Sequence, residues 1–313
     1  MNRTMTTVNR PTRHTHRKMT IVLYSMMIPG LVYLFVNNYI PMAGLVLAFK
    51  RYNYSLGMWK SPWAGLSNFT YLFKTQDAIN ITRNTLLYNL VFIFLGNLLA
   101  VVVAIMLNFL RGNLNKKIYQ TLILIPYLIS MVVVSYIVYG FLSQENGFIN
   151  RAIESLGGKS ISWYTTSKYW PFILTIVYLW KSFGYSSIIY YATVIGIDSS
   201  LYEAAAIDGA GTWQQVRNVT LPGLKGTIAT LVLLAIGRIF YSDFGLFYQV
   251  PMRSGLIANA TDTIDVYVYK ALTQLNDIGR ASAAGFIQSV VGFVLILTVN
   301  LTVRKVNEEN ALF

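Results

Sequence analysis

Apolar residues gather into long runs, not into the alternation of strands or the narrow stripes of surface helices. Met19–Phe49 is the first run, and its Pro29 and Pro41 predict a kink. Thr85–Leu110, Ile118–Leu142 with Pro126 inside it, Tyr169–Gly196, Thr227–Val250 and Ala281–Val303 follow. Each approaches or exceeds the roughly twenty residues that cross about 30 Å of hydrocarbon. The pattern predicts an all-α polytopic membrane protein with six transmembrane helices. Between the runs lie an aromatic and basic loop (Lys50–Arg83), a short basic connection (Arg111–Lys117), and two further loops, Ser143–Lys168 and Pro251–Gly279. No internal repeat is evident.

Ser199–Pro222 is the longest polar-rich passage between two such runs. Ser200 with Glu203, and Thr212 with Gln215, each fit a capping box that starts a helix. Asp208–Gly211 between them reads as a turn, since glycine takes the positive φ that ends a helix. Leu221-Pro222 is expected to close the second helix. The passage therefore predicts a helix, a turn and a short helix lying at the membrane surface.

Composition sharpens this picture. The chain has 313 residues, of which 55% are hydrophobic and only 12% charged; a soluble domain carries about 25% charged residues. There is no cysteine, which excludes disulfides and thiolate chemistry. His14 and His16 both sit in a basic tail without partner ligands, so no metal site is expected. In a membrane protein a net charge of +13 points to anionic lipid headgroups, not to nucleic acid. The domain reading is a basic tail (1–18), a membrane domain (19–305) and a short polar tail (306–313). Lys and Arg divide almost evenly between the two sides, but the acid-free N-terminal tail and compact Arg111–Lys117 loop favour cytoplasmic termini.

Three charges fall inside predicted spans: Lys181, Arg238 and Asp243. A charge at membrane depth needs a partner or a wet cavity. One reading is an ion pair between helices, Lys181 with Asp243; the other is a polar cavity for solute. Trp180, Tyr185, Tyr190, Tyr191, Phe240, Tyr241, Phe244 and Tyr248 surround these charges. Aromatic walls suit the apolar faces of sugar rings, although tyrosine is also common at membrane interfaces. Ala281, Gly285 and Ser289 lie four apart and predict close approach of another helix.

Glu203-Ala204-Ala205, Asp208-Gly209-Ala210 and Val219-Thr220-Leu221-Pro222 resemble the EAA loop of permease subunits of bacterial ABC importers. Val219 stands where isoleucine is usual, and Gly226 where a second proline often follows. The resemblance implies a coupling helix docked on a cytoplasmic ATPase, with Glu203, Ala204, Ala205, Asp208, Gly209, Leu221 and Pro222 as coupling residues. IPYLIS (125–130), GFLSQENGFIN (140–150) and WKSFGYSSIIYYATVIGID (180–198) are similar to the maltose-type carbohydrate-uptake branch, and within it to polysaccharide and oligosaccharide permeases of Gram-positive bacteria. That likeness implies a bacterial plasma-membrane protein that moves a carbohydrate. Its implied partners are a second permease subunit, two cytoplasmic ABC ATPase subunits and an extracellular solute-binding (lipo)protein. It also places Ser130, Gly184, Tyr241 and Asp243 near solute-contacting positions. With Trp180, Lys181, Tyr185 and Arg238 they make up the candidate substrate pathway.

No enzyme is legible. The chain lacks a G-x-x-x-x-G-K-[ST] loop, so it does not hydrolyse ATP itself, and no cofactor is implied. Both histidines lie in the tail, so no Ser-His-Asp set forms in the membrane part. The alternatives are a permease for a non-sugar solute and a channel or scaffold without ATP coupling.

Overall fold

The computed structural model describes residues 13–306. Helix α1 (Arg13–Leu34) continues through a π turn (Phe35–Tyr39), one more helical turn (Ile40–Met42) and a 3-10 helix (Ala43–Phe49). Arg13–Lys18, expected as tail, is thus helical. The tail residues 1–12 and 307–313 lie outside the described residues. Pro29 sits within α1 without interrupting it; the π turn comes just before Pro41 instead. Only 6% of the most apolar stretch of Val22–Phe49 is buried; the span meets the rest of the chain at its end, where Ala48 and Phe49 pack on Phe69, Ala283 and Phe286.

The remaining long helices form the bundle: α2 (Gln76–Phe109), α3 (Asn113–Leu128), α4 (Met131–Leu142), α5 (Phe148–Ser155) and α6 (Trp170–Ile195). They are followed by α7 (Ser199–Ile207), α8 (Thr212–Gln215), α9 (Leu221–Gly237), α10 (Phe244–Gln249), α11 (Ile264–Thr273) and α12 (Ile278–Val306). Five helical stretches are long and apolar enough to cross a membrane. The pair α3 and α4 makes a sixth if counted as one span, but it is bent by 92° at Ile129-Ser130. The sixfold pattern is therefore present, with one crossing broken. No strand forms among the described residues beyond a single bridge between Lys50 and Trp63.

Element boundaries depart from expectation in physically simple ways. Helix α2 starts at Gln76, well before Thr85, because the Thr75 hydroxyl accepts the Ala78 N–H at 3.2 Å. The run Thr227–Val250 is not one helix. It ends at Gly237 and restarts at Phe244. Of the small-residue stripe, Ala281 is buried, but a side chain on Gly285 would meet open space and Ser289 is exposed.

Two apolar layers stack along the bundle. One joins Tyr88 and Phe92 of α2, Trp170 and Leu174 of α6, Val134 of α4 and Leu246, Phe247 and Tyr248 of α10. The other joins Ala100, Val101, Ala104 and Leu107 of α2, Tyr190 and Val194 of α6 and Leu224 of α9. The second layer abuts the Ser199–Pro222 passage; the first lies at the opposite end.

Candidate functional site

The Ser199–Pro222 passage folds as helix, turn and helix, but with different caps from those expected. Asp198, not Ser200, caps α7, and its carboxylate accepts the Ser200 N–H at 2.9 Å. That backbone hydrogen bond holds the Asp198 carboxyl below its usual pKa. Glu203 has no hydrogen-bond partner among the described residues and is exposed. The second cap sits one residue earlier than predicted: Gln214 Oε1 accepts the Gly211 N–H at 2.7 Å. Between the helices, Gly209 has φ +76°. Its N–H donates to the Ala206 carbonyl at 3.0 Å, and the Ala210 N–H donates to the Ala205 carbonyl at 2.9 Å. These two bonds are the Schellman motif, which only a residue tolerant of positive φ closes cheaply.

Leu221-Pro222 does not end the second helix. Thr212–Gly237 is one continuous 26-residue helix, so it spans about 39 Å at the usual rise per residue. A π turn (Val216–Thr220) lies just before the proline, where the Leu221 N–H donates to the Val216 carbonyl. Proline has no N–H, and its ring crowds the carbonyl four residues back, here Asn218 inside that turn. The passage is thus fused to the membrane helix. It is also clamped sideways: the Tyr202 hydroxyl meets Thr220 Oγ1 at 3.0 Å. Leu201, Ile207 and Trp213 remain 53%, 87% and 71% exposed on it.

The break between α3 and α4 gathers one group of predicted pathway residues. Lys181 does not pair with Asp243. Its ammonium donates to the carbonyls of Pro126 (3.3 Å), Tyr127 (3.0 Å) and Ile129 (2.5 Å), which the bend frees. Gly184 lies against the same helix, and a Cβ there would run into the Ile123 carbonyl oxygen. Tyr185 stacks on Tyr127 with centroids 4.8 Å apart. Ser130 starts α4, its hydroxyl accepting the Val133 N–H at 3.4 Å. Tyr185 also lines a cavity of about 190 Å³ with Asn97, Ser182 and Ser186. Trp180 is exposed on α6.

The second break, Arg238–Asp243, is held by side chains the sequence reading missed. Asn89 Nδ2 donates to the Ile239 and Tyr241 carbonyls at 2.8 and 3.0 Å. Gln288 Nε2 donates to the Phe240 carbonyl at 2.7 Å. Asp265 accepts the Ser242 N–H at 2.6 Å and its hydroxyl at 2.8 Å. Asp243 caps α10 by accepting the Leu246 N–H at 3.0 Å, and the Tyr241 hydroxyl meets Ser289 Oγ at 2.9 Å. Arg238 is exposed and has no side-chain partner among the described residues. The aromatic wall is mostly packing: Tyr190 and Tyr191 are buried in the second layer and Tyr248 in the first. The available signal was an amide inside each of two apolar runs, Asn89 and Gln288, and a carboxylate, Asp265, between apolar neighbours. Their backbone targets, far off in sequence, could not be read.

A family model described as "Binding-protein-dependent transport system inner membrane component" matches residues 96–308. The chain belongs to this family. Its fold class is therefore that of a polytopic membrane protein, an ABC transporter permease. This permease is 34% identical to Protein LplB of Bacillus subtilis (strain 168) over 290 residues, 92% of this chain and 90% of that one. It is 33% identical over 292 residues to the "Polygalacturonan/rhamnogalacturonan transport system permease protein YteP" of the same organism, 92% of this chain and 89% of that one. Among solved structures it is similar to a chain of a bacterial ABC transporter involved in the import of the acidic polysaccharide alginate. The TM-score is 0.84 at 30% identity, covering 93% of the permease and 97% of that chain. A second structure shows the bacterial alginate transporter in complex with an alginate pentasaccharide-bound periplasmic protein, with TM-score 0.83 and 29% identity over 92% of the permease and 96% of that chain.

Proposed function

We propose that this permease carries a carbohydrate, an oligosaccharide in particular, inward across the bacterial plasma membrane with both termini cytoplasmic. It works beside a second permease subunit, receives solute from an extracellular solute-binding (lipo)protein, and is driven by two cytoplasmic ABC ATPase subunits. The chain itself is a transport subunit and does no catalysis. The polysaccharide-transport relatives support the solute class.

The single observation that carries the mechanism is the fusion of an exposed loop to an unbroken helix. Glu203, Leu201, Ile207 and Trp213 offer a charged and apolar face to a docking partner, and Thr212–Gly237 runs from there to the Arg238–Asp243 break. Motion of the ATPases then reaches the break as a shift of one rigid rod. Ala204, Ala205, Asp208 and Gly209 shape the docking face, and Leu221 and Pro222 join it to the rod. Ser130, Trp180, Tyr185, Arg238, Tyr241 and Asp243 border the solute pathway; Lys181 and Gly184 shape it by holding the first break.

The test is uptake by vesicles bearing the assembled complex. Glu203→Ala and Gly209→Pro insert normally and abolish solute uptake; normal uptake by both overturns the coupling role. Stimulation of the complex's ATPase by spermidine, phosphate or peptide, and not by oligosaccharide, overturns the solute class.

A further inference from the structure

Beyond both helix breaks, at the end of the bundle away from the Ser199–Pro222 passage, lies a polar cavity of about 360 Å³. Val132, Ser135 and Tyr136 of α4, Gln249 at the end of α10, and Met252 and Arg253 line it. Helices α4 and α10 lead from this cavity to the two breaks, since α4 starts after Ser130 and α10 after Asp243. Met252 and Arg253 are consecutive residues with φ of 51° and 57°, a backbone region that non-glycine side chains rarely adopt. The surrounding bonds enforce it. The Met252 N–H donates to Gln249 O at 2.9 Å, the Ser254 N–H to Pro251 O at 3.1 Å, and the Ser254 hydroxyl to Tyr164 O at 2.8 Å. Local strain held in this way is a mark of a functional position.

The turn fixes Arg253, whose guanidinium lies 4.8 Å from the Tyr248 ring centroid. No carboxylate pairs with it; the ion pairs among the described residues are Lys270–Asp262 and Arg280–Asp277. The Gln249 amide and the Tyr136 hydroxyl also make no hydrogen bond among the described residues. An unpaired guanidinium beside free amide and hydroxyl groups matches one chemistry within the carbohydrate reading. It fits a sugar that carries a carboxylate among its hydroxyls, because arginine binds carboxylates by paired, charge-assisted hydrogen bonds.

We propose that this cavity is a uronate subsite and that the solute is an acidic oligosaccharide, with Arg253 reading its carboxylate. The inference rests on the carbohydrate reading above. The assembled transporter, with its own binding protein, is reconstituted in proteoliposomes. The probes are labelled oligogalacturonates and oligoalginates, each also offered after reduction of its carboxyl groups. The wild type takes up an acidic probe in preference to its reduced form. Arg253→Gln lowers the acidic-to-reduced uptake ratio about tenfold, and Arg253→Lys recovers part of it. A preference for reduced probes overturns the acidic class while leaving the carbohydrate reading intact. Uptake of neither form overturns both. An equal fall for both forms in Arg253→Gln, or no fall, overturns the subsite and assigns Arg253 to docking of a partner protein or to no role in uptake.

Discussion

The Lys181 ammonium and the Ile129 carbonyl meet at 2.5 Å, so a charge that the sequence places inside a span is used to end a helix. The carbonyls of Pro126 and Tyr127 complete the cap. A cation at a helix C-terminus meets both the free carbonyls and the negative end of the helix dipole. Lys181 thereby stabilises a 92° bend that would otherwise leave the Tyr127 and Ile129 carbonyls without a protein donor.

Removing that cap has a defined cost. Lys181→Met keeps the apolar stem and deletes the donor, so it lowers stability by about 1–3 kcal/mol. Thermal unfolding in detergent reads this as a lower midpoint without solute present. A variant as stable as the wild type would free Lys181 from its structural role and return it to solute binding.

Gly184 makes a sharper case, because its neighbour is backbone. A Cβ there meets the Ile123 carbonyl oxygen, which cannot move without displacing α3. Gly184→Ala is expected to cost about 1–3 kcal/mol by overpacking and to lower the yield of inserted protein. Gly285→Ala is the matched control, since nothing lies within 4 Å of its added Cβ. In mid-helix that change stabilises by roughly 0.5–1 kcal/mol. Equal yields and melting midpoints for the two variants would disprove close packing at Gly184.

These two residues show where sequence reading succeeds and stops. Run length and apolarity alone bring out the spans, and Tyr169–Gly196 matches α6 to within a residue at each end. Gly209 is legible because its positive φ follows from local turn chemistry. The break at Arg238–Asp243 is not, because its two charges sit inside an otherwise apolar run with no glycine or proline between them to mark a turn, and its backbone is held by Asn89, Gln288 and Asp265 from distant elements. Lys181 looks like half an ion pair in one dimension, and only the bent partner helix shows carbonyls to receive it. Caps shift for the same reason. Ser200 and Asp198 are both good N-cap residues, and the carboxylate wins by taking the Ser200 N–H.

The Asp198 cap makes the Ser199–Pro222 passage sensitive to acid. Its carboxyl is depressed by the bond from the Ser200 backbone. Its contribution is therefore fully present above the unfolded carboxylate value, about 3.9, and is lost as pH falls through the lower folded value. The protection of the Ser200 amide against hydrogen exchange, taken relative to its intrinsic rate at each pH, falls below that point in the assembled complex. Asp198→Asn keeps an acceptor oxygen and removes the acid dependence. Acid-sensitive exchange that persists in Asp198→Asn would place the titrating group elsewhere.

Pro222 carries the last expectation. Two π turns occur among the described residues, and each ends on the residue before a proline: Ile40 donates to Phe35 ahead of Pro41, and Leu221 donates to Val216 ahead of Pro222. The shared cause is the missing proline N–H, which leaves the carbonyl four residues back without its usual donor and lets the helix widen. Pro222→Ala restores that donor to the Asn218 carbonyl. It should return the turn to α register and raise helix stability by on the order of 1–3 kcal/mol. The register change rotates the Ser199–Pro222 passage relative to α9 and breaks the Tyr202–Thr220 contact. Uptake therefore falls even as the thermal midpoint rises. A midpoint that stays put would mean that packing of the buried Val216 and Thr220 sets the turn and the proline merely tolerates it.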